Sequence, residues 1–291
     1  MNKYIIYPDA NWEKQFIFQD LLNIDTNIYK KIIYTNRNLR DFDLDLKSFQ
    51  NINEIINNNI FVFQSNQNKY HTILNLVKFL KPIIIIHLSD EWGTKEEFQG
   101  LNQYTKLLLR TYNHHNYCQK PNIKYMPTGY MNGMLEPNYM DIKLKSPRNR
   151  KYKWSFIGAI KQDRQEMINK MKLITPHYLG KTDIHEIKNI YRNSIFVAHG
   201  KGNVTWDCMR LNEASLCGAI PILVGPKKAI EITFCKEENP PWLRFDSWDD
   251  AYINCLELLK DMDKLDKMSK DVINWWKNRV RNLRKLISDY L

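Results

Sequence analysis

No Cys-x-x-Cys pair occurs in this chain of 291 residues, and its five cysteines (Cys118, Cys208, Cys217, Cys235 and Cys255) are odd in number. Such spacing offers neither a disulfide framework nor a zinc site and fits a reduced intracellular protein. No apolar run approaches the ~20 residues needed to cross a bilayer. The longest, PIIIIHL at 82–88, has the length of a strand. The opening MNKYIIYPDANWEKQF carries only a short apolar run before polar residues, so no signal peptide is expected and a soluble, cytoplasmic protein is. A Walker loop, a Gly-x-Gly-x-x-Gly fingerprint and a Ser-His-Asp order are all missing, so none of those chemistries is indicated.

What is present suffices for a packed core: 43% of residues are hydrophobic and 26% charged. A formal charge of +11 favours anionic partners, namely nucleic acid, acidic lipid or phosphorylated substrates. Aromatics reach 12%, including 8 Trp, which suits core packing as well as stacking on sugars or bases.

Short apolar runs alternate with helix-compatible segments through the first half: KYIIYP, IYKKIIYT, NIFVFQ, PIIIIHL, KLLLRTYN and NIKYMPTGY read as strands, with helices over DANWEKQFIFQDLL and NKYHTILNLVKFL. The segment IKLKSPRNRKYK (142–153) breaks the alternation with six basic residues and no acid, and reads as a solvated linker or a nucleic-acid patch. A second series follows: strand KWSFIG, helix KQDRQEMINKMKLI, strand HYLG, helix DIHEIKNIYRN, strand SIFVAHG, helix WDCMRLNEASLC beginning near Asp207, and strand AIPILV. The tail from Trp248 reads as helical throughout, with Trp275 and Trp276 in the core. Two α/β halves predict two doubly wound domains: residues 1–145, residues 146–270, and a terminal helix over 271–291 packing back on the first.

Open parallel sheets bind ligands beyond the carboxyl ends of their strands. This selects FIGAIKQDR (156–164), HYLGK (177–181) and AHGKGNVTWDCMR (198–210) in the second half and HLSDEWG (87–93) in the first. In AHGKGNVTWDCMRLNEA a strand ends, Gly200 and Gly202 follow and a helix begins. The helix N-terminus is a ready phosphate site, Arg210 can grip phosphate bidentately, and Glu213 on the same face can accept from ribose hydroxyls. Mutual i,i+3 pairing of Arg210 with Glu213 explains the same spacing equally well. The stretch SFIGAIKQDR repeats the theme with Gly158 and Arg164.

The stretch SIFVAHGKGNVTWDCMRLNEASLCGAIPILVG resembles the C-terminal signature of exostosin-like (GT47-type) glycosyltransferases, in which a strand and Gly-loop precede an Arg, a Glu-Ala pair and a Gly-x-Ile-Pro strand. Here these are Gly200, Arg210, Glu213-Ala214 and Gly218 to Pro221, and FIG at 156–158 with Arg164 resembles the preceding Gly and Arg. The match spans residues 156–225, with fainter echoes at Arg110, Tyr112, Pro127, Gly129 and Tyr130. It implies the α/β GT-B fold, two Rossmann-like domains facing a cleft with C-terminal helices crossing back. It also implies an inverting, metal-independent transfer from a nucleoside diphosphate, a UDP-sugar such as UDP-xylose, -N-acetylglucosamine, -glucuronic acid or -galactose, to an oligosaccharide or glycoprotein glycan. No membrane anchor like that of cellular exostosins is expected, which points to a bacterial or large-virus relative, in host cytoplasm if viral.

In that reading Arg164, Arg210 and the helix at 207–217 hold diphosphate, with Asp207 at its start and His199 and Thr205 near the phosphates. Glu213 holds ribose, and Gly158 and Gly200 allow close approach. An inverting transfer needs a base for the acceptor hydroxyl. HLSDEWG (87–93) offers Asp90 or Glu91, with His87, Trp92 and Tyr130 as secondary acceptor-side candidates; Ser89 and Asp90 as plain helix caps is the competing reading. His87 can orient the base or be a strand histidine, and Trp206 can stack on a base or sugar. No cofactor, metal, membrane span or nucleic acid is required. The alternatives are a non-catalytic basic nucleic-acid binder and a metal-dependent GT-A enzyme using Asp41 and Asp43 of DFDLDL; His114-His115 lacks a nearby third ligand.

Overall fold

The computed structural model describes residues 3–8, 12–23, 29–34, 52–65, 70–113, 120–134, 144–161, 163–234 and 239–291. Asp41, Asp43, His114 and His115 lie outside the described residues. The chain forms two compact units, Met1–Thr128 with Leu283–Leu291, and Gly129–Asn282.

The first unit runs β1 (Lys3–Pro8), β2 (Tyr29–Tyr34), α1 (Ile52–Ile55), β3 (Asn59–Gln64), α2 (Tyr70–Leu80), β4 (Ile84–Leu88), β5 (Leu107–Arg110) and β6 (Ile123–Tyr125). Its six strands order as β2-β1-β3-β4-β5-β6, all parallel. Every residue of β3 and β4 is buried, as befits inner strands covered on both faces and read as unbroken apolar runs. Helix α2 turns Ile73, Leu76, Val77 and Leu80 inward at helical spacing and stops at Lys81, ahead of Pro82. Strand β6 ends at Tyr125, short of Pro127, which has no N–H to give a ladder. The expected first helix is a π-helical turn at Phe16–Leu21.

The second unit runs β7 (Tyr152–Ile157), α3 (Arg164–Met171), β8 (His177–Gly180), α4 (Ile184–Arg192), β9 (Ser194–His199), α5 (Met209–Leu216), β10 (Ile220–Val224), α6 (Lys227–Thr233), β11 (Leu243–Phe245), α7 (Trp248–Leu258) and α8 (Met262–Tyr290), the last continuing into the residues of the first unit. Its strands order as β11-β10-β9-β7-β8, again all parallel. Asp183 caps α4, its carboxylate accepting the N–H groups of His185 and Glu186. Pro221 is tolerated inside β10 because β11 pairs only from Ile222 onward.

Three boundaries differ from the sequence expectation. Helix α5 begins at Met209 rather than near Asp207, because Cys208 is extended (φ −160°). The tail is broken between Leu258 and Met262. The divide expected after residue 145 falls after Thr128, since the loop from Gly129 packs into the second unit: Met131 donates its N–H to Glu213, and a Cβ on Gly133 would lie 3.2 Å from Ile184.

The basic run at 142–153 is not simply solvated. Arg150 is buried, and its guanidinium donates to the carbonyls of Lys145 (3.0 Å), Ser194 (2.9 Å) and Gly218 (2.8 Å) and to Ser269 Oγ (2.7 Å). Burial lowers its pKa to about 10. It ties the start of β9 and the end of α5 to α8, so Arg150→Met, which takes the side-chain donor from the Lys145 and Ser194 carbonyls while Ser269 still serves Gly218, is expected to cost about 3 kcal/mol in urea unfolding. A loss under about 0.5 kcal/mol would mean that the carbonyls find water instead.

Candidate functional site

In the second sheet β7 leads through α3 to β8 on one side, while β9 leads through α5 to β10 on the other. The loops after β7 and β9 therefore part at the switch point, where such sheets bind ligands. Gly158 follows β7 and Gly200 follows β9. Each glycine makes room for an arginine. A Cβ on Gly158 (φ +152°) would sit 3.1 Å from Arg210 Nη2, and one on Gly200 would sit 2.6 Å from Arg164 Cγ.

Both arginines lie over one ring. The guanidinium carbons of Arg210 and Arg164 are 5.4 and 5.7 Å from the centroid of the buried Phe156. Arg164 donates to the Ala159 carbonyl at 2.8 Å. Arg210 Nη1 lies 3.1 Å from His199 Nδ1, and His199 Nε2 lies 2.8 Å from the Trp206 carbonyl. Only a protonated Nε2 can donate to that carbonyl, which leaves Nδ1 to accept from Arg210. Burial first, and Arg210 second, hold the His199 pKa well below the usual histidine range, so the ring stays neutral and aims the guanidinium. Among the described residues no carboxylate forms an ion pair with Arg210.

Arg210 and Glu213 therefore do not merely pair with each other. Glu213 is buried and its Oε1 accepts the Met131 N–H at 3.1 Å; burial raises its pKa. Across the switch point Asp163 Oδ2 accepts the Lys201 N–H at 3.1 Å and ties the two loops together, with burial raising its pKa. Thr205 closes the second loop through a 2.8 Å bond from Gly202 N–H to its carbonyl, and Thr205 and Asp207 are both buried. Trp206 is no stacking platform for a ligand. Its indole N–H donates to the Val224 carbonyl at 2.9 Å and its ring covers Gly225, where a Cβ would fall 2.3 Å away.

Beside Gly158 opens a pocket of about 500 Å³ lined by Phe156, Ala159, Ile160, Ile168, Leu179, Gly180 and Lys181. Ile160 is 58% exposed. All of these but Ile168 fall in FIGAIKQDR (156–164) and HYLGK (177–181), two strand-end segments where the sequence places ligands, although Ile160 and Leu179 were not singled out there.

In the first unit β4 delivers His87, Asp90, Glu91 and Trp92 to its carboxyl end. His87 is a core residue: its ring stacks on Phe63 at 4.7 Å and 11°, neither nitrogen has a hydrogen-bond partner among the described residues, and burial holds its pKa well below the usual range. Asp90 is buried in an ion pair, Oδ2 to Arg110 Nη2 at 2.9 Å. Glu91 is half-buried and Trp92 exposed, whereas Tyr130 is wholly buried in the second unit and offers no acceptor surface. Ser89 takes a left-handed backbone (φ +68°) where the chain turns off the strand, a conformation uncommon outside glycine. Among the described residues no three His, Cys, Asp or Glu side chains cluster as a metal site would, and no described helix is long and apolar enough to cross a membrane.

No family model matches the sequence, and no curated protein does. Solved structures do. The Anabaena protein HepE in complex with UDP and glucose is 10% identical over 99% of both chains, with a TM-score of 0.53. HepE with UDP-glucose is 10% identical over 98% of both chains, with a TM-score of 0.50. An alpha-glucosyltransferase in complex with UDP and a 13-mer DNA containing an HMU base is 11% identical over 95% of both chains, with a TM-score of 0.57. With two parallel sheets and alternating helices matched over nearly its whole length, the chain has the α/β, GT-B fold of these glycosyltransferases.

Proposed function

We propose that this protein is a nucleotide-sugar glycosyltransferase whose donor, a UDP-sugar, docks at the switch point of the second sheet. The observation that carries the reading is the pair of guanidiniums over Phe156, one of them aimed by a neutral histidine and in no ion pair among the described residues. Two guanidiniums so placed, Arg164 buried and Arg210 half-buried, suit a dianion, and a diphosphate supplies it. The N-terminus of α5 adds free N–H groups beside Arg210. Glu213 takes the ribose hydroxyls with the oxygen that Met131 does not use, and the pocket beside Gly158 takes the base. The complexes of the fold neighbours with UDP and UDP-glucose support UDP as the nucleotide.

The exostosin-like signature at 156–225 supports inversion. The acceptor oxygen bonds to the anomeric carbon as the bond to the diphosphate breaks, and the electron pair leaves on the phosphate oxygen. Arg210 and Arg164 meet that charge with donors already in place. The acceptor is a glycan hydroxyl whose proton passes to a carboxylate of the first unit, and the product carries the anomeric configuration opposite to the donor's.

The test is discrimination between UDP and 2′-deoxy-UDP. Wild type is expected to bind UDP at least about tenfold more tightly. In Glu213→Gln, which can still accept from Met131, UDP affinity falls about 10- to 100-fold and the preference disappears. Salt-sensitive binding of oligonucleotides with no response to UDP would favour the nucleic-acid reading instead.

A further inference from the structure

Of the eight tryptophans, six are buried or half-buried, while Trp12 is 64% and Trp92 63% exposed. Both lie beyond the carboxyl edge of the first sheet, each four residues past a strand end, β1 at Pro8 and β4 at Leu88. Only β3 stands between those strands, and the ends are level: Ile6 pairs with Phe61 and Gln64 with Leu88. Two strand spacings put the carriers about 10 Å apart. Next to Trp12, Glu13 is 5% exposed in the segment that leads from β1 to β2. Its carboxyl accepts from the backbone N–H groups of Trp12 and Glu13, and no charged side chain among the described residues enters its environment.

We propose, on the reading of the donor site given above, that this edge is the acceptor subsite: Trp12 and Trp92 stack on the rings of a neutral oligosaccharide, and Glu13 takes the proton of the attacking hydroxyl. The hydroxyl proton moves to the Glu13 carboxylate as its oxygen bonds to the donor's anomeric carbon, and the diphosphate departs with the electron pair. Indole faces suit the C–H faces of sugars, and two of them spaced along the edge suit an oligomer. The local charge selects against phosphate-bearing polymers: residues 12–15 and 89–97 carry Glu13, Asp90, Glu91, Glu96 and Glu97 against Lys14 and Lys95. The basic surplus lies elsewhere, with thirteen Lys and Arg against four acids over 143–192. Among the three carboxyls beside the strand ends, Asp90 is committed to Arg110, and accepting a proton there would break the ion pair. Burial lifts the Glu13 pKa from 4.5 to about 7, where a general base works best near neutrality.

The experiment follows tryptophan emission while chitotetraose, xylotetraose, maltotetraose and a single-stranded 12-mer DNA are added in turn. At least one oligosaccharide shifts the emission, and Trp12→Ala and Trp92→Ala each weaken its binding about tenfold or more while UDP affinity stays unchanged. Silence from all three sugars, or a response to the DNA alone, overturns the proposal; UDP binding in the same samples reports separately on the donor reading. With the bound oligosaccharide and the UDP-sugar that wild type hydrolyses fastest, Glu13→Gln lowers the rate of UDP release about 100-fold or more, with both affinities kept. A full rate in Glu13→Gln removes Glu13 from the reaction.

Discussion

Arg210→Met is expected to weaken UDP binding by about 100- to 1000-fold while leaving the unliganded protein within about 1 kcal/mol of the parent. A charge-assisted hydrogen bond contributes roughly 1.5–3 kcal/mol, so losing a bidentate grip on phosphate gives the larger figure. The smaller one follows from opposing terms. Methionine keeps an unbranched apolar side chain for Phe156, over which the guanidinium lies at 5.4 Å. Removing a cation from a half-buried site relieves desolvation, while His199 Nδ1 loses its 3.1 Å donor. Arg210→Lys should recover only part of the affinity, because an ammonium keeps the charge but not the planar fork. Calorimetric titration with UDP checks both. Unchanged affinity in Arg210→Met would remove the diphosphate from this switch point.

The role of this helix was only half legible in the sequence. Spacing put Arg210 and Glu213 on one face, and the Gly-loops marked where β7 and β9 end, because local patterns carry that information. Their partners are remote. Met131 lies 82 residues from Glu213, and nothing in MNGM announces a backbone donor. Phe156 reads as one more apolar strand residue until two arginines are seen over it. Trp206 misled in the opposite direction: a tryptophan in a ligand-side loop suggests stacking, but Gly225 leaves a hollow in the neighbouring strand end that the indole fills. His87 did likewise, since a histidine in an apolar strand reads as polar while here it packs as a ring between Phe63 and Phe98.

The fold was more open to reading. The inner strands β3, β4, β9 and β10 are unbroken apolar runs of strand length, and α2 and α4 show their buried stripe at helical spacing. What was missed is short: α6 and β11 span seven and three residues, too few for a period to declare itself. The order of the strands was also hidden. Alternation implies a parallel sheet but does not say where it reverses, and both sheets reverse beside their first strand. The burial of Glu13 was hidden as well, since sequence patterning alone treats it as one more polar residue of a helix.

Glu13→Gln should stabilise the protein at alkaline pH by about 3 kcal/mol relative to its effect in acid. The folded state holds this carboxyl at about 7 rather than 4.5, chiefly because burial disfavours the ion. A raised carboxyl pKa stabilises the fold fully below 4.5, and that contribution is lost as pH rises through about 7. A displacement of that size corresponds to roughly 3 kcal/mol at about 1.4 kcal/mol per unit. Glutamine cannot ionise, so the difference between variant and parent should grow by that amount between pH 4 and pH 9 in urea melts. A difference flat with pH would mean that the carboxyl is solvated and unshifted. A gain in stability joined to a loss of transfer is the pattern expected of a group kept strained for its chemistry, since a purely structural carboxyl would lose stability when neutralised.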